Sequence, residues 1–143
     1  MSSEPKTRPT GASVDDFIAS VDHPGRREDA KVAVQLLREI TGWEPEMWGP
    51  SIVGFGRYYY DDPRGKPQEW PAMGFSPRKA NMVFYLTPGY ETKRPDLMER
   101  LGKYKLGASC LYLGRLSDVD MDALRELSEW SLATTKAKYR TGP

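Results

Sequence analysis

Glycines set inside an aromatic, strand-forming run restrict this chain more than any other feature. Between Glu46 and Tyr60, the residues Gly49, Gly54 and Gly56 fall within eight positions, interleaved with Trp48, Ile52, Val53, Phe55 and Tyr58. A glycine in a strand interior weakens the strand, and it is tolerated where a bulge, a bend or a close neighbour needs the missing side chain. The run therefore predicts a strand with something held hard against its backbone. It locates a candidate pocket without naming a reaction.

The rest of the chain reads as elements of mixed type. Ser13 with Asp16 forms a capping pattern ahead of Val14, Phe17, Ile18 and Val21, which predicts a short amphipathic helix. A second helix is expected from near Arg26, with Ala30, Ala33, Leu37 and Ile40 on one stripe and Gly42 just past its end. Ser51 to Tyr60, Trp70 to Phe75 and Asn81 to Leu86 read as consecutive strands, separated by the turns Asp62-Pro63-Arg64-Gly65 and Ser76-Pro77-Arg78-Lys79. Pro95 opens a short helix that Gly102 stops, Cys110 to Leu113 is a further strand, and Ser117 is expected to cap the last helix. These elements predict an α+β fold, an antiparallel meander of about four to five strands with helices mainly on one face. Residues 1–12 read as a disordered tail, 13–135 as one domain and 136–143 as a basic tail that frays.

Size and charge limit the functions on offer. A chain of 143 residues is the usual length of a single domain, and 21 basic against 20 acidic residues leave a formal charge of +1. Such a balance gives no global field for nucleic acid or an anionic membrane, so a basic site has to be local. The single cysteine, Cys110, excludes an internal disulfide and fits a reducing cytoplasm. No apolar run reaches the length of a membrane span.

Several motif-like strings fail on their details. Asp118, Asp120 and Asp122 with Glu129 imitate calcium-loop spacing, but Ala123 stands where that loop turns on glycine, and the same acids suit the first turn of a helix. Gly54-Phe55-Gly56 lacks a third glycine and lies within a strand, and Gly49 to Gly54 misses a nucleophile elbow by one residue. His23, the sole histidine, reads as a surface or helix-end residue. Cys110, among Leu111, Tyr112 and Leu113, reads as a structural thiol, with Lys103 and Lys105 near enough in sequence to activate it if they face it.

Placement makes the lysines more informative than their number. Lys79 sits in a tight turn, and Lys103 and Lys105 precede the small-residue segment Gly107-Ala108-Ser109, whose amides can face an anion. These residues suggest a pocket for a small anionic molecule: Lys79, Lys103 and Lys105 supply charge, Ser51 and Ser109 hydrogen bonds, Gly49 close backbone approach and Trp48 an apolar wall.

Three strings in order, Met47-Trp48-Gly49-Pro50-Ser51-Ile52-Val53-Gly54-Phe55-Gly56, Gly74-Phe75-Ser76-Pro77-Arg78-Lys79, and Leu101-Gly102-Lys103-Tyr104-Lys105 with Gly107, Ser109 and Cys110, resemble the YdhG-like family of small bacterial domains. The resemblance spans about residues 13–135 and implies an α+β domain with an antiparallel sheet and flanking helices. It implies no catalytic mechanism. One branch of that family has been proposed as a frataxin-like iron chaperone, for which Asp15, Asp16, Asp118 and Asp122 are the surface carboxylates offered here. Three readings result: a cytoplasmic, non-enzymatic binding domain for an anion, with no cofactor, acting as monomer or homodimer; an iron chaperone; and a thiol enzyme using Cys110.

Overall fold

Ser13 starts the first helix by accepting the Asp16 N–H on its Oγ at 3.1 Å, which opens α1 (Val14–Ala19). The computed structural model describes residues 8–107 and 110–143. Pro24 stands in the first turn of α2 (Pro24–Thr41), where its missing N–H costs nothing, and Gly42 closes that helix at φ 74°. Ala30, Ala33, Leu36 and Leu37 are buried along its inner stripe.

The strands form two antiparallel sheets. In chain order they are β1 (Pro45–Trp48), β2 (Ile52–Phe55), β3 (Arg57–Asp61), β4 (Pro67–Trp70), β5 (Met73–Pro77), β6 (Met82–Tyr85), β7 (Lys105–Leu106), β8 (Cys110–Leu113) and β9 (Arg140–Gly142). The larger sheet has six strands in the order β1-β2-β5-β6-β8-β7, and the smaller has three, β4-β3-β9. The α+β class and antiparallel pairing expected from the sequence are what the fold shows.

Register separates the two faces of the large sheet. Met47, Val53, Phe75, Phe84 and Leu111 are cross-strand neighbours in one row. That row packs with Ala33 and Leu37 of α2, with Leu97 and Leu101 of α4 (Pro95–Leu101), and with Leu124 and Leu127 of α5 (Met121–Lys138) in one apolar core. A short helix, α3 (Tyr90–Lys93), precedes α4. The opposite face carries Glu46, Gly54, Gly74, Tyr85 and Cys110 in register. There the small sheet brings Trp70 to within 6.5 Å of Trp48 and 6.3 Å of Tyr85, centroid to centroid.

Three expectations about the elements need correction. The strand expected over Ser51 to Tyr60 is two strands, because Gly56 at φ 63° turns the chain out of the large sheet into the small one. Its partner breaks at the same level, where the Ala72 N–H reaches the Gly56 carbonyl at 3.4 Å, so one bent hairpin serves both sheets. The Asp62 turn joins its arms, with the Gly65 N–H bonded to the Asp62 carbonyl at 2.8 Å. Ser117 does not cap the last helix. A 3₁₀ turn over Leu116–Asp118 buries Leu116, the Asp120 N–H is tied to the Leu101 carbonyl at 3.1 Å, and the Asp120 carboxylate caps α5 by accepting the Ala123 N–H at 3.0 Å.

Both tails also depart from expectation. The basic residues after Lys136 continue α5 to Lys138 and then pair with β3 as β9, with Tyr139 stacked on Tyr58 at 4.7 Å. At the other end, the Arg8 carbonyl accepts the Gly49 N–H at 2.8 Å, and the Thr10 N–H donates to the Met47 carbonyl at 3.0 Å. These bonds occupy the free edge of β1, a row of groups that otherwise faces solvent unpaired.

Candidate functional site

The neighbours held against the strand glycines are the chain's own tryptophans. A β-carbon at Gly54 would lie 2.5 Å from Trp48 Cδ1, and one at Gly56 would lie 2.2 Å from Trp43 Cε3. Trp48 is fully buried there, with the Arg57 guanidinium 5.2 Å from its ring centroid and Arg57 itself ion-paired to Glu46 and Glu69. It therefore walls no ligand pocket. Gly49, at φ 61°, uses its N–H to hold the segment around Arg8.

A separate hollow of about 640 Å³ opens at one end of the large sheet. Its inner wall takes Phe17 and Val21 from α1 and the connection after it, Arg26 from the first turn of α2, and Ser51, Ser76 and Pro77 from the ends of the strands. Asp22, His23, Arg78 and Lys79, all exposed, lie around it. Ser51 and Lys79 thus share one hollow although 28 positions separate them in the chain.

Arg26 is the unusual member. It is only 7% exposed, yet it carries a guanidinium whose Nε is buried with no hydrogen-bond partner. Its Nη1 donates to the Gly114 carbonyl at 3.0 Å and stands 3.6 Å from Asp29 Oδ2. That carboxylate oxygen is shared, since Arg115 Nε donates to it at 2.9 Å and the Leu116 N–H at 3.2 Å. Two guanidinium groups on one carboxylate leave a positive surplus. Burial lowers the Arg26 pKa from its ordinary value, Asp29 acts in the opposite sense, and Arg115 adds to the lowering. The charge is retained, because arginine does not deprotonate in proteins, and a nearby anion would relieve its exposure to low dielectric.

The polar groups around Arg26 are mostly committed. His23 caps α2, its Nδ1 accepting the Arg26 N–H at 3.1 Å, so that nitrogen carries no proton in this arrangement. Ser76 Oγ donates to the Ser51 carbonyl at 2.7 Å, which leaves it able only to accept. Arg78 donates from Nη2 to Tyr85 Oη at 2.6 Å but is in no ion pair among the described residues, and neither is Lys79.

The other residues singled out from the sequence lie elsewhere. Lys105 is on β7, three strands across from β5, roughly 14 Å at ordinary strand spacing, and both it and Lys103 are exposed. Neither lines the hollow, so the pocket expected from Ser51, Lys79, Lys103 and Lys105 together does not form. Ser109 lies outside the described residues. Cys110 is half-buried on β8 opposite Tyr85, in a free-thiol state. Asp15 and Asp16 are in the first turn of α1, Asp118 is in the 3₁₀ turn and Asp122 is in the first turn of α5. Among the described residues no three His, Cys, Asp or Glu side chains gather to hold a metal ion.

Arg26 is absent from the residues that motif and composition single out, although the sequence carries a signal for it. It lies four residues before Ala30 and seven before Ala33, on the stripe that the periodicity marks as buried, and Asp29 sits beside it. A charged pair on an apolar stripe is itself a marker, since charges are seldom buried without a task or a partner. Comparison with family models, with curated proteins and with solved structures finds no match to this chain.

Proposed function

We propose that this chain is a non-enzymatic binding domain for a small anionic molecule, seated in the hollow between the α1–α2 junction and the β5–β6 turn. With this reading go membership of the YdhG-like domains and a cytoplasmic setting. The observation that carries it is Arg26, a buried guanidinium with an unpartnered Nε lining a hollow flanked by Arg78 and Lys79. A buried positive charge costs stability, and an anion seated in the hollow beside it offsets that charge. Ser51, predicted as a hydrogen-bonding residue, already uses its carbonyl to hold Ser76 and so contributes shape as well as polarity.

Thermal melting in the presence of acetate, benzoate and inorganic phosphate tests this. A ligand at a hundred times its Kd stabilises the folded state by about 2.7 kcal/mol, which raises the melting temperature by several degrees, and the gain fades as sodium chloride rises. Arg78→Ala with Lys79→Ala, both exposed, should remove the protection and leave the unliganded melting temperature almost unchanged. Equal protection of parent and double variant, or none by any of these anions, ends the proposal.

A further inference from the structure

We infer that the ligand is an organic acid with one anionic head and an apolar body, a monocarboxylate with a hydrocarbon chain or ring, rather than a phosphate ester or a polyacid. This rests on the anion reading above and sharpens it. The inner wall offers an anion very few donors. Arg26 Nη1 is taken by the Gly114 carbonyl and the Ser76 hydroxyl proton by the Ser51 carbonyl, so the donors left on the lining are the Ser51 hydroxyl, His23 Nε2 and the Arg78 and Lys79 side chains. Beside these stand Phe17, Val21 and Pro77.

A phosphate group has three or four oxygens that need donors. Its donors here lie at the rim, so a phosphate seated there leaves Phe17, Val21 and Pro77 facing water, whereas an acid with a hydrocarbon body covers them. A carboxylate has two, which the Arg78 and Lys79 side of the hollow can meet, with the buried Arg26 charge behind the wall. Asp22, also on the lining, disfavours a second negative charge, which sets monoacids above diacids. The volume of about 640 Å³ is in the range of small-molecule clefts and far larger than an acetate ion, so a body of several carbons is needed to displace water from Phe17 and Val21.

Titration calorimetry of the full chain at fixed ionic strength, with acetate, hexanoate, benzoate, succinate, inorganic phosphate and hexanol, decides the matter. Hexanoate and benzoate should bind at least about tenfold more tightly than acetate, given the gain per buried methylene, and more tightly than succinate or phosphate. Hexanol, without the head group, should not bind measurably. Val21→Ser should narrow the ratio of hexanoate to acetate affinity, with circular dichroism confirming that the variant is folded, and Lys79→Glu should weaken both acids together. If hexanoate binds no tighter than acetate, or phosphate or succinate binds best, the organic-acid inference fails while the anion site stands. If no anion binds, both fall.

Discussion

Two regions of this molecule, the glycine–aromatic strands and the charged start of the second helix, differ in what they leave open. Around Gly54 and Gly56 the close neighbours are Trp48, Pro71 and Trp43 of the same chain, whereas Arg26, a buried guanidinium, lines an open hollow. Glycine and aromatic residues announce crowding, and crowding is what the first region contains. Unpartnered nitrogens do not separate the two, since Trp48 Nε1 and Arg57 Nε lack partners as Arg26 Nε does; the difference is the open hollow that Arg26 lines. The contrast teaches that the sequence feature easiest to notice here is structural, and that the candidate site lies where a charged residue occupies a position the helical stripe reserves for apolar ones.

If that contrast is right, substitutions in the filled region should cost folding, and those near the hollow or on the far edge should not. The largest effect is expected at Gly56→Ala, where a left-handed backbone meets a ring 2.2 Å from the new carbon. A loss of about 3 kcal/mol in urea denaturation combines the conformational penalty with overpacking. Trp43→Ala should recover part of that loss in the double variant. Next is Gly54→Ala, where the backbone is unstrained and the methyl group is opposed by Trp48 and, at 3.0 Å, by Pro71, at about 1–3 kcal/mol. Either variant melting with the parent breaks the filled side of the comparison.

A smaller effect follows from Tyr58, whose phenol is pushed from 10.0 up to about 12, chiefly by burial in the small sheet and further by the neighbouring Tyr139 and Tyr60. The folded chain keeps this proton where the unfolded chain releases it. Tyr58 therefore favours folding fully below pH 10, and that contribution is lost as the pH rises toward about 12. Tyrosinate absorbance should show late-titrating phenols, and Tyr58→Phe should flatten the alkaline fall in stability. A parent and variant with the same alkaline profile would show that the small sheet is not closed around this ring. The smallest effect belongs to Lys103→Ala with Lys105→Ala, expected within about 0.5 kcal/mol of the parent and with unchanged protection by benzoate. Loss of that protection would shift the site to the β7 edge and undo the comparison from its open side.

Whatever depends on neighbours in the chain is legible in the sequence. Ser13, Gly42, Gly65 and Gly102 punctuate the elements as their chemistry dictates, and the class of fold follows from them. Asp120 reads from sequence as a first-turn acid behind a Ser117 cap, because the bond from its N–H to the Leu101 carbonyl spans 19 positions and leaves no local trace. The two-sheet arrangement escapes for a related reason: the strand-forming run from Ser51 to Tyr60 is continuous, and only the left-handed turn at Gly56 decides that the chain changes sheets. Of the seven site residues expected, Ser51 and Lys79 line the hollow. Local placement beside turns and glycines points to Ser51 and Lys79, but Lys103 and Lys105 require a convergence that strand order forbids, and Arg26 owes its role to Gly114 and Arg115, nearly ninety positions away.

The hydrogen bond from Arg78 to Tyr85 gives the protein an optical reporter. Arg78 lines the hollow, Tyr85 receives its guanidinium at 2.6 Å, and the Tyr85 ring packs edge-on to Trp70 with centroids 6.3 Å apart. An acid that draws Arg78 toward itself frees a phenol in contact with an indole, which alters the polarity that Trp70 senses and so its emission. Occupancy of the hollow can then be followed in unlabelled protein by tryptophan fluorescence, with Trp70→Phe silencing the signal and Tyr85→Phe uncoupling it from the ligand.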